Sequence, residues 1–292
     1  MNKQFNKGLL LAGFGSFWWG FFGVLYFKYI TFIGYIELVI HRCLWTTLTL
    51  ILTTFFFSKW DIFFKIIKSK QNLIYLFISG FLIFINWGVW IYAIATNRII
   101  DASFGYFIMP ILSVLLGYIF FKEKLNNKRI FSITLVILSI LYLIFVSLKS
   151  LPWVGIIVAL SWGFYNLVRK KINVETDIGL LIESLFILPI AIIIFYMIAA
   201  KGYNDFSLSN PSMMLIIFLA GPMTVIPLFL YVRGVELCGL GPSGMIFYIT
   251  PTLQFLLGFF YYDEVFSFNK LVSFILIWIA VIIYLRDLYE TN

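Results

Sequence analysis

The 292-residue sequence has few charged residues and few residue types suited to catalysis or metal binding. Asp, Glu, Lys and Arg together make up 12% of it, whereas 62% of its residues are hydrophobic. Because soluble domains carry roughly twice that charged fraction, a water-soluble globule is excluded. There is one histidine, and the two cysteines, Cys43 and Cys238, both lie inside apolar runs. This composition offers no disulfide framework and no metal-ligand spacing, so we predict no metal and no cofactor.

Several motifs of enzymes and pumps are also missing. The sequence has no Gly-rich phosphate loop followed by Lys-Ser/Thr, no nucleophile elbow and no motif of paired catalytic carboxylates. These absences argue against nucleotide-driven pumping and against an enzyme. The net charge of +8 comes from Lys and Arg in short segments between apolar runs. Such charge sets membrane topology, and we therefore predict no nucleic-acid partner.

Long apolar runs make up most of the chain. A helix needs about 20 apolar residues to cross a bilayer, and ten segments approach that length. The sequence therefore predicts an all-α integral membrane protein with ten transmembrane helices. The predicted spans are residues 8–30, 34–57, 73–96, 100–121, 130–148, 152–168, 178–200, 212–237, 241–262 and 268–288. The segment 58–71 mixes lysines with Ile and Phe, which predicts an interfacial segment.

Lys and Arg are distributed unevenly over the segments that join the spans. With the N-terminus in the cytoplasm, fifteen of them fall on the cytoplasmic side, and Arg42 stays inside a span. The five on the other side are Lys28, Arg98, Lys149, Lys201 and Lys270. The positive-inside rule then predicts a multi-pass protein with both termini in the cytoplasm.

One stretch of the chain occurs twice at a fixed spacing of 141 residues. The matching pairs are Pro110 with Pro251, Gly117 with Gly258, and Glu123 with Glu264. Halves at residues 1–149 and 150–292 would each contain five spans, and an odd number of spans inverts the second half. We therefore predict two inverted five-helix repeats, with a binding site near mid-membrane between them. The two glutamates are predicted to anchor helix ends at opposite faces, Glu123 through a surface ion pair with nearby Lys and Arg.

The second span carries four candidate functional residues. Glu37, His41 and Trp45 follow one another at four-residue spacing and share a helix face, whereas Arg42 points about 100° away from His41. Ionisable groups inside a membrane are costly and normally face the bundle interior, a partner or water. Arg42, His41 and Trp45 are therefore candidate substrate-binding residues, and Glu37 is a candidate for proton coupling. The alternatives are a structural Arg42, a neutral core His41 or a proton-carrying one, and a Glu37 that faces a helix N-terminus.

The third span adds an amide and two indoles at the predicted depth of Arg42. Asn86 and Trp90 are four residues apart and share a face, with Trp87 beside them. This pattern predicts the polar lining of a cavity. The alternative is interhelical packing, in which Asn86 bonds a neighbouring helix.

Spans four and nine each carry a proline near the middle of the membrane. A proline inside a helix removes one hydrogen bond and usually kinks the helix, which predicts hinges at Pro110 and Pro251. A static bend is the alternative. Tyr106, Tyr248 and Gln254 lie close to these prolines and are predicted to line the cavity.

The seventh span contains Glu183, the inverted counterpart of Glu37. It is the second candidate for proton coupling, and the two carboxylates are predicted to lie at opposite depths without pairing. The basic run Arg169-Lys170-Lys171 is predicted to anchor the sixth span at the cytoplasmic surface.

Together these elements resemble the EamA branch of the drug/metabolite transporter superfamily, and within it the RarD-type permeases. The resemblance covers essentially the whole chain and is carried by Glu37, His41-Arg42, Trp45, Asn86-Trp87, residues 102–107, residues 167–172, Tyr248 and Pro251-Thr252-Leu253. It implies a ten-helix permease of a bacterial inner membrane, named in connection with chloramphenicol sensitivity, that works by alternating access. The seventh span lacks an Arg or His at the position matching Arg42, so charge recognition is predicted to be asymmetric.

Two functions from different classes follow. The first is a secondary permease for a small amphipathic metabolite or drug, chloramphenicol-type or amino-acid-like, with proton coupling, in contact with membrane lipids and monomeric or homodimeric. The alternative is a membrane-embedded enzyme acting on a lipid-linked substrate, although the scattered carboxylates offer no catalytic cluster. A channel is a third option, to which the mid-span prolines and inverted halves are less suited.

Overall fold

A computed structural model describes residues 3–96, 99–147, 153–206, 211–261 and 268–291. Within these ranges the regular structure is entirely helical. The helices are α1 (Lys3–Trp18), a π-helical turn (Trp19–Gly23), α2 (Val24–Tyr29), α3 (Tyr35–Phe56), α4 (Trp60–Ile67), α5 (Lys70–Ala95), α6 (Ile99–Phe121), α7 (Asn127–Ser147), α8 (Trp153–Lys171), α9 (Thr176–Ala200), α10 (Pro211–Phe218), α11 (Ala220–Cys238), α12 (Leu240–Ile246), α13 (Ile249–Phe260) and α14 (Phe268–Thr291).

Each of the ten predicted apolar segments is helical in its described part. Three of them are interrupted: the first by the π-helical turn, the eighth at Leu219 and the ninth at Phe247–Tyr248. Six stretches are long and apolar enough to cross a membrane: Lys3–Tyr29, Tyr35–Phe56, Lys70–Ala93, Thr176–Ala200, Pro211–Cys238 and Leu271–Glu290. The chain is thus a multi-pass membrane protein.

The helices of the first half pack mainly against helices of the second half. The closest pairings are α1 with α11, α3 with α9 and α11, α5 with α8 and α9, α6 with α8 and α12, and α7 with α14. Small residues permit close crossings, because a Cβ at Gly234 of α11 would lie 2.7 Å from the backbone nitrogen of Ala12 in α1. The core is therefore built between the halves rather than within each of them.

The two predicted hinge prolines occupy different positions in their helices. Pro110 lies inside α6, as predicted. Pro251 lies in the first turn of α13, directly after the break at Phe247–Tyr248, where a proline costs no helix hydrogen bond. Glu264, the predicted anchor that matches Glu123, lies outside the described residues. So do Arg98, Lys149 and the predicted start of the sixth span at residue 152.

Candidate functional site

A cavity of about 490 Å³ lies between the two halves. Seven of the twelve residues around it are aromatic, and one is charged. The lining consists of Trp19, Gly23, Phe27, Arg42, Asn86, Trp87, Trp90, Tyr106, Trp162, Phe247, Thr250 and Gln254. Six of the nine predicted substrate-binding residues lie here, namely Arg42, Asn86, Trp87, Trp90, Tyr106 and Gln254. A mostly aromatic concave lining with a few polar groups is typical of small-molecule sites.

Arg42 is the charged group of this cavity, and only 4% of it is exposed. Its Nε donates a hydrogen bond to Thr224 Oγ1 at 3.0 Å. The guanidinium carbon lies 4.6 Å from the ring centroid of Trp87 and 4.9 Å from that of Phe27. No carboxylate of the described chain lies within ion-pair distance of it. Buried arginines normally pair with a carboxylate, and here aromatic faces supply only part of that stabilisation.

Asn86 faces the cavity and also joins two helices. Its side-chain nitrogen donates to the carbonyl of Val158 at 3.0 Å and to Ser161 Oγ at 3.1 Å, both in α8. The interhelical bond that the sequence offered as the alternative is therefore present, and the residue still lines the cavity. Because α8 fixes both donor hydrogens, Asn86 is held in one orientation.

Aromatic rings from both halves of the chain form part of the cavity wall. The rings of Trp19 and Trp162 meet edge to face with centroids 4.9 Å apart. Phe247 packs against Trp162 at 6.2 Å and against Tyr106 at 5.8 Å. The sequence contains matching tripeptides at Trp19-Gly20-Phe21 and Trp162-Gly163-Phe164, but we predicted no binding role for either tryptophan. This match between the two halves of the sequence was the signal that could have identified them.

The π-helical turn at Trp19–Gly23 was not predicted. It places Trp19 and Gly23 at the cavity, and a Cβ at Gly20 would lie 2.9 Å from the carbonyl oxygen of Thr250. Single π-helical turns inside α-helices occur frequently at functional sites. Apolar periodicity gives no sign of one extra residue in a helical turn, and so the sequence could not show it.

Glu37, His41 and Trp45 lie on another face of α3, outside the cavity. Glu37 accepts the backbone N–H groups of Asp205 and Phe206 at 2.8 and 3.0 Å, and its Oε1 lies 3.2 Å from His41 Nε2. The rings of His41 and Trp45 pack against Phe206, with centroids 4.9 and 5.9 Å away. This face of α3 thus holds down residues 203–206, which we name the α9 strap.

Tyr248 also lies outside the cavity. Its hydroxyl donates to the carbonyl of Phe107 at 2.8 Å, and the ring packs in an apolar cluster between α6, α7 and α14. The break at Phe247–Tyr248 explains the difference, because it directs Phe247 into the cavity and Tyr248 away from it.

Glu183 belongs to a second buried polar cluster. Its carboxylate accepts hydrogen bonds from Ser79 at 2.6 Å and from Tyr165 at 3.2 Å, and it lies 3.5 Å from Arg169 Nη1. Arg169 also reaches Glu236, at 3.7 Å. Glu183 lines a smaller cavity of about 270 Å³ that shares Trp87 with the central cavity.

The burial of Arg169 corrects its predicted role as a surface anchor. The residue is 1% exposed, because Gly179 leaves room for its guanidinium and two carboxylates balance its charge. Lys170 is only partly buried, and its amine donates to the carbonyl of Val235 at 3.1 Å. A basic run therefore looked uniform in the sequence although its members point in different directions.

The predicted surface ion pair of Glu123 is also wrong. Its two carboxylate oxygens accept the backbone N–H groups of Leu240 and Gly241, each at 2.8 Å. Glycine at position 117 makes this approach feasible, since a Cβ there would lie 2.6 Å from Glu123 Oε2. Gly117 and Glu123, the landmarks of the first copy, thus join the end of α6 to the start of α12.

Comparison with known proteins agrees with this arrangement. The model of the EamA-like transporter family matches residues 6–145 and again residues 150–286. Protein RarD of Escherichia coli is 33% identical over 290 residues, covering 99% of this chain and 97% of its own. The uncharacterized transporter YojE of Bacillus subtilis is 33% identical over 286 residues, covering 97% of this chain and 95% of its own.

A solved structure, titled only as the crystal structure of a protein, has the same fold. It superposes with a TM-score of 0.70 over 95% of this chain and 96% of its own, at 14% identity. The family and the names of the relatives indicate a membrane transporter rather than an enzyme. The chain therefore belongs to the EamA-like transporter family, and within it to the RarD-type permeases of the drug/metabolite transporter superfamily.

Proposed function

We propose that this chain is a secondary transporter that moves small amphipathic anions across the bacterial cytoplasmic membrane by alternating access. The observation that carries this proposal is the state of Arg42. It is a buried guanidinium with a single hydrogen bond, to Thr224, and without a carboxylate partner in the described chain. A charge so placed is costly until an anion joins it. A carboxylate binding bidentately would satisfy the guanidinium and fix the solute's orientation.

The rest of the lining defines the substrate class. The rings of Trp19, Trp162 and Phe247 offer flat apolar surface for the body of a solute. Gln254 and Thr250 add neutral polar groups. Among the described residues, the lining contains one cation and no carboxylate, so it favours an aromatic or amphipathic acid and offers an ammonium group no partner. Among the substrate types predicted from the sequence, amino-acid-like acids fit this chemistry better than cationic drugs.

Alternating access further requires an architecture with two equivalent gates. We propose ten spans arranged as two inverted five-helix repeats. Support comes from the pairing of helices. Span one packs on span eight, and in the same way span six packs on span three. Span two packs on span seven, span four on span nine, and span five on span ten. A two-fold axis in the membrane plane generates this pattern. The two family matches, one in each half, support the same organisation.

Of the two coupling candidates, we propose that Glu183 carries the proton. Glu37 is already bound to two backbone N–H groups that it holds in place. Glu183 faces a cavity that shares Trp87 with the central site, and the groups around it are Arg169, Tyr165, Ser79 and, through Arg169, Glu236. Binding a proton there would weaken the ion pair to Arg169 and loosen the packing of α8 on α9.

The test is binding and uptake by purified protein in lipid vesicles. The probes are 3-phenylpropionate, its methyl ester and phenylethylamine. We expect binding of the acid alone, and a loss of about 10- to 100-fold in its affinity in Arg42→Gln, because hydrogen bonds to charged groups contribute about 1.5–3 kcal/mol. Arg286→Gln, which removes an exposed arginine, is the matched control. Equal affinity in Arg42→Gln, or flux that does not saturate, would contradict the proposal.

The same vesicles test the coupling residue. With a pH gradient imposed, the wild type is expected to accumulate the acid above the level reached by equilibrium exchange. Glu183→Gln is expected to retain exchange of the acid but to lose this gradient-driven accumulation. If Glu183→Gln still accumulates the acid, the proton is carried elsewhere. Glu37→Gln, which changes the other coupling candidate, is measured in the same assay for comparison.

A further inference from the structure

A second, larger opening lies at the end of the molecule that the positive-inside count assigns to the cytoplasm. It has an empty volume of about 2490 Å³, about five times that of the central cavity. The ends of α6 and α14 and the starts of α1, α7 and α12 surround it. We name it the basic cleft, after Lys122, Lys124, Arg129 and Lys170 in its lining.

The charges of the basic cleft do not cancel. Arg129 is neutralised by Asp287, with Nε 2.8 Å from Oδ2. Glu123, the acidic residue in the lining, is bound by backbone N–H groups and reaches none of the lysines. Lys122 and Lys124 are exposed and have neither an ion pair nor a side-chain hydrogen bond within the described chain. Lys170 donates only to a carbonyl, so three amines face one cleft without an anion.

The backbone at Lys122 indicates that its position is constrained. The N–H of Glu123 bonds the carbonyl of Gly117 at 3.1 Å across the end of α6, and helices very commonly end with one residue in the left-handed region. The residue that such an end normally places in the left-handed region is glycine, but here it is Lys122, with φ of 53°. A side chain in this conformation is disfavoured. Glycine would suit the turn better, and the lysine therefore contributes something other than turn formation.

Apolar surface continues from the lysines into the cleft. Tyr118 and Phe121 of α6 line it, and Lys170 Nζ lies 5.5 Å from the ring centroid of Phe121. Ile119 of the same helix end also lines the cleft, and the neighbouring Phe120 is exposed. Basic groups at the water boundary beside an apolar wall match the two ends of a phospholipid. Basic pockets between helices on the cytoplasmic side bind anionic lipid headgroups in this way.

We infer that the basic cleft is a binding site for an anionic phospholipid, with the phosphate between Lys122, Lys124 and Lys170 and the acyl chains along Tyr118 and Phe121. The inference is independent of the solute bound at Arg42. The cleft lies between the end of α6 and the start of α7 in the first half and the start of α12 and the end of α14 in the second. A bound lipid would therefore stabilise the contact between the two halves.

The experiment measures thermal unfolding of the full chain in bilayers of phosphatidylcholine with increasing phosphatidylglycerol. We expect phosphatidylglycerol to raise the unfolding temperature by several degrees in a saturable manner. The double variant Lys122→Gly/Lys124→Gln is expected to lose that rise. Because glycine relieves the left-handed strain, the variant should unfold no lower than the wild type in pure phosphatidylcholine, which separates lost binding from lost folding.

Two controls complete the test. Lys65→Gln/Lys68→Gln removes two exposed lysines from the same predicted side, in and after α4, and should keep the response. Inorganic phosphate added to protein in detergent should give no shift. The inference is overturned if phosphatidylglycerol has no effect on the wild type, if the cleft variant responds as the wild type does, or if free phosphate reproduces the shift.

Discussion

At the scale of single residues, Gly179 and Arg169 show how the absence of one methyl group accommodates a buried charge. A Cβ at position 179 would collide with Arg169 Nη1. The guanidinium would have to move away from Glu183 and Glu236, and breaking a buried ion pair leaves charges without compensation.

The corresponding prediction concerns stability. Gly179→Ala is expected to lower the free energy of unfolding by about 3 kcal/mol, as for the loss of one partner of a buried pair, measured by denaturant unfolding in detergent. Gly88→Ala is the matched control, because it also lies inside a helix but no atom is within 4 Å of its added Cβ. It should leave stability unchanged or raise it by up to about 1 kcal/mol. Equal effects of the two variants would contradict the role of Gly179.

Which single residues matter could be predicted from the sequence only where they are out of place in a membrane. Arg42 and Asn86 stood out because polar groups at mid-span are costly, and both line the cavity. Phe27 and Phe247 also line it, but 21% of the sequence is aromatic, so nothing in the sequence marks these two rings among so many. Glu183 was noticed, whereas its partner Arg169 was hidden in a run of basic residues.

At the scale of elements, α3 divides two tasks between its faces. One face presents Arg42 to the cavity, and the other holds the α9 strap through Glu37. The four-residue spacing indicated that Glu37, His41 and Trp45 share a face, but His41 and Trp45 were predicted to bind substrate with Arg42, whereas both lie outside the cavity. Their contact with the strap could not be predicted, because it joins residues about 170 positions apart in the chain.

The strap gives a prediction about local opening. Glu37→Leu removes the acceptor of two backbone hydrogen bonds, each to a charged group and therefore worth about 1.5–3 kcal/mol. Hydrogen exchange at the amides of Asp205 and Phe206 is expected to accelerate by at least about 10-fold. Glu175→Gln, which removes an exposed partner of Lys59 at the other end of α9, should leave these amides unchanged. Unaltered protection in Glu37→Leu would show that the strap is held by its aromatic contacts alone.

Helix breaks were the least predictable feature at this scale. The sequence places a kink at Pro251, but the ninth segment breaks four residues earlier, at Phe247–Tyr248, and Pro251 sits in the first turn of α13. Pro251 marks the neighbourhood of a break because a proline tolerates a helix start. It does not fix the residue at which the chain turns, and Pro110 lies inside the unbroken helix α6.

For the whole molecule, the ten apolar segments were predictable because each approaches the length that the bilayer demands. The inversion of the second half was inferred from the repeat in the sequence, and the orientation in the membrane from the distribution of Lys and Arg. Both stay predictions. The pairing of α7 with α14 could be anticipated only from that symmetry, because it joins residues far apart in the chain, such as Ser139 and Ser273.

Orientation can be tested by cysteine labelling. The native thiols of Cys43 and Cys238 are buried and should react little with a membrane-impermeant maleimide. Tyr203→Cys, at an exposed position after α9, is expected to be labelled in intact cells. Lys124→Cys is expected to react only after the cells are permeabilised. The opposite pattern would invert the topology that the positive-inside count predicts.

The solitary guanidinium of Arg42 has a consequence for membrane energetics. A potassium ion that came within about 4 Å of it would be repelled by roughly 4 kcal/mol at an effective dielectric constant of 20, which lowers its occupancy about a thousandfold. The charge that we propose to bind an acid is therefore also expected to limit the leak of alkali cations through the protein. A potassium gradient across vesicles should decay faster when they contain Arg42→Gln than when they contain the wild type. Equal decay would show that Arg42 does not limit the potassium leak.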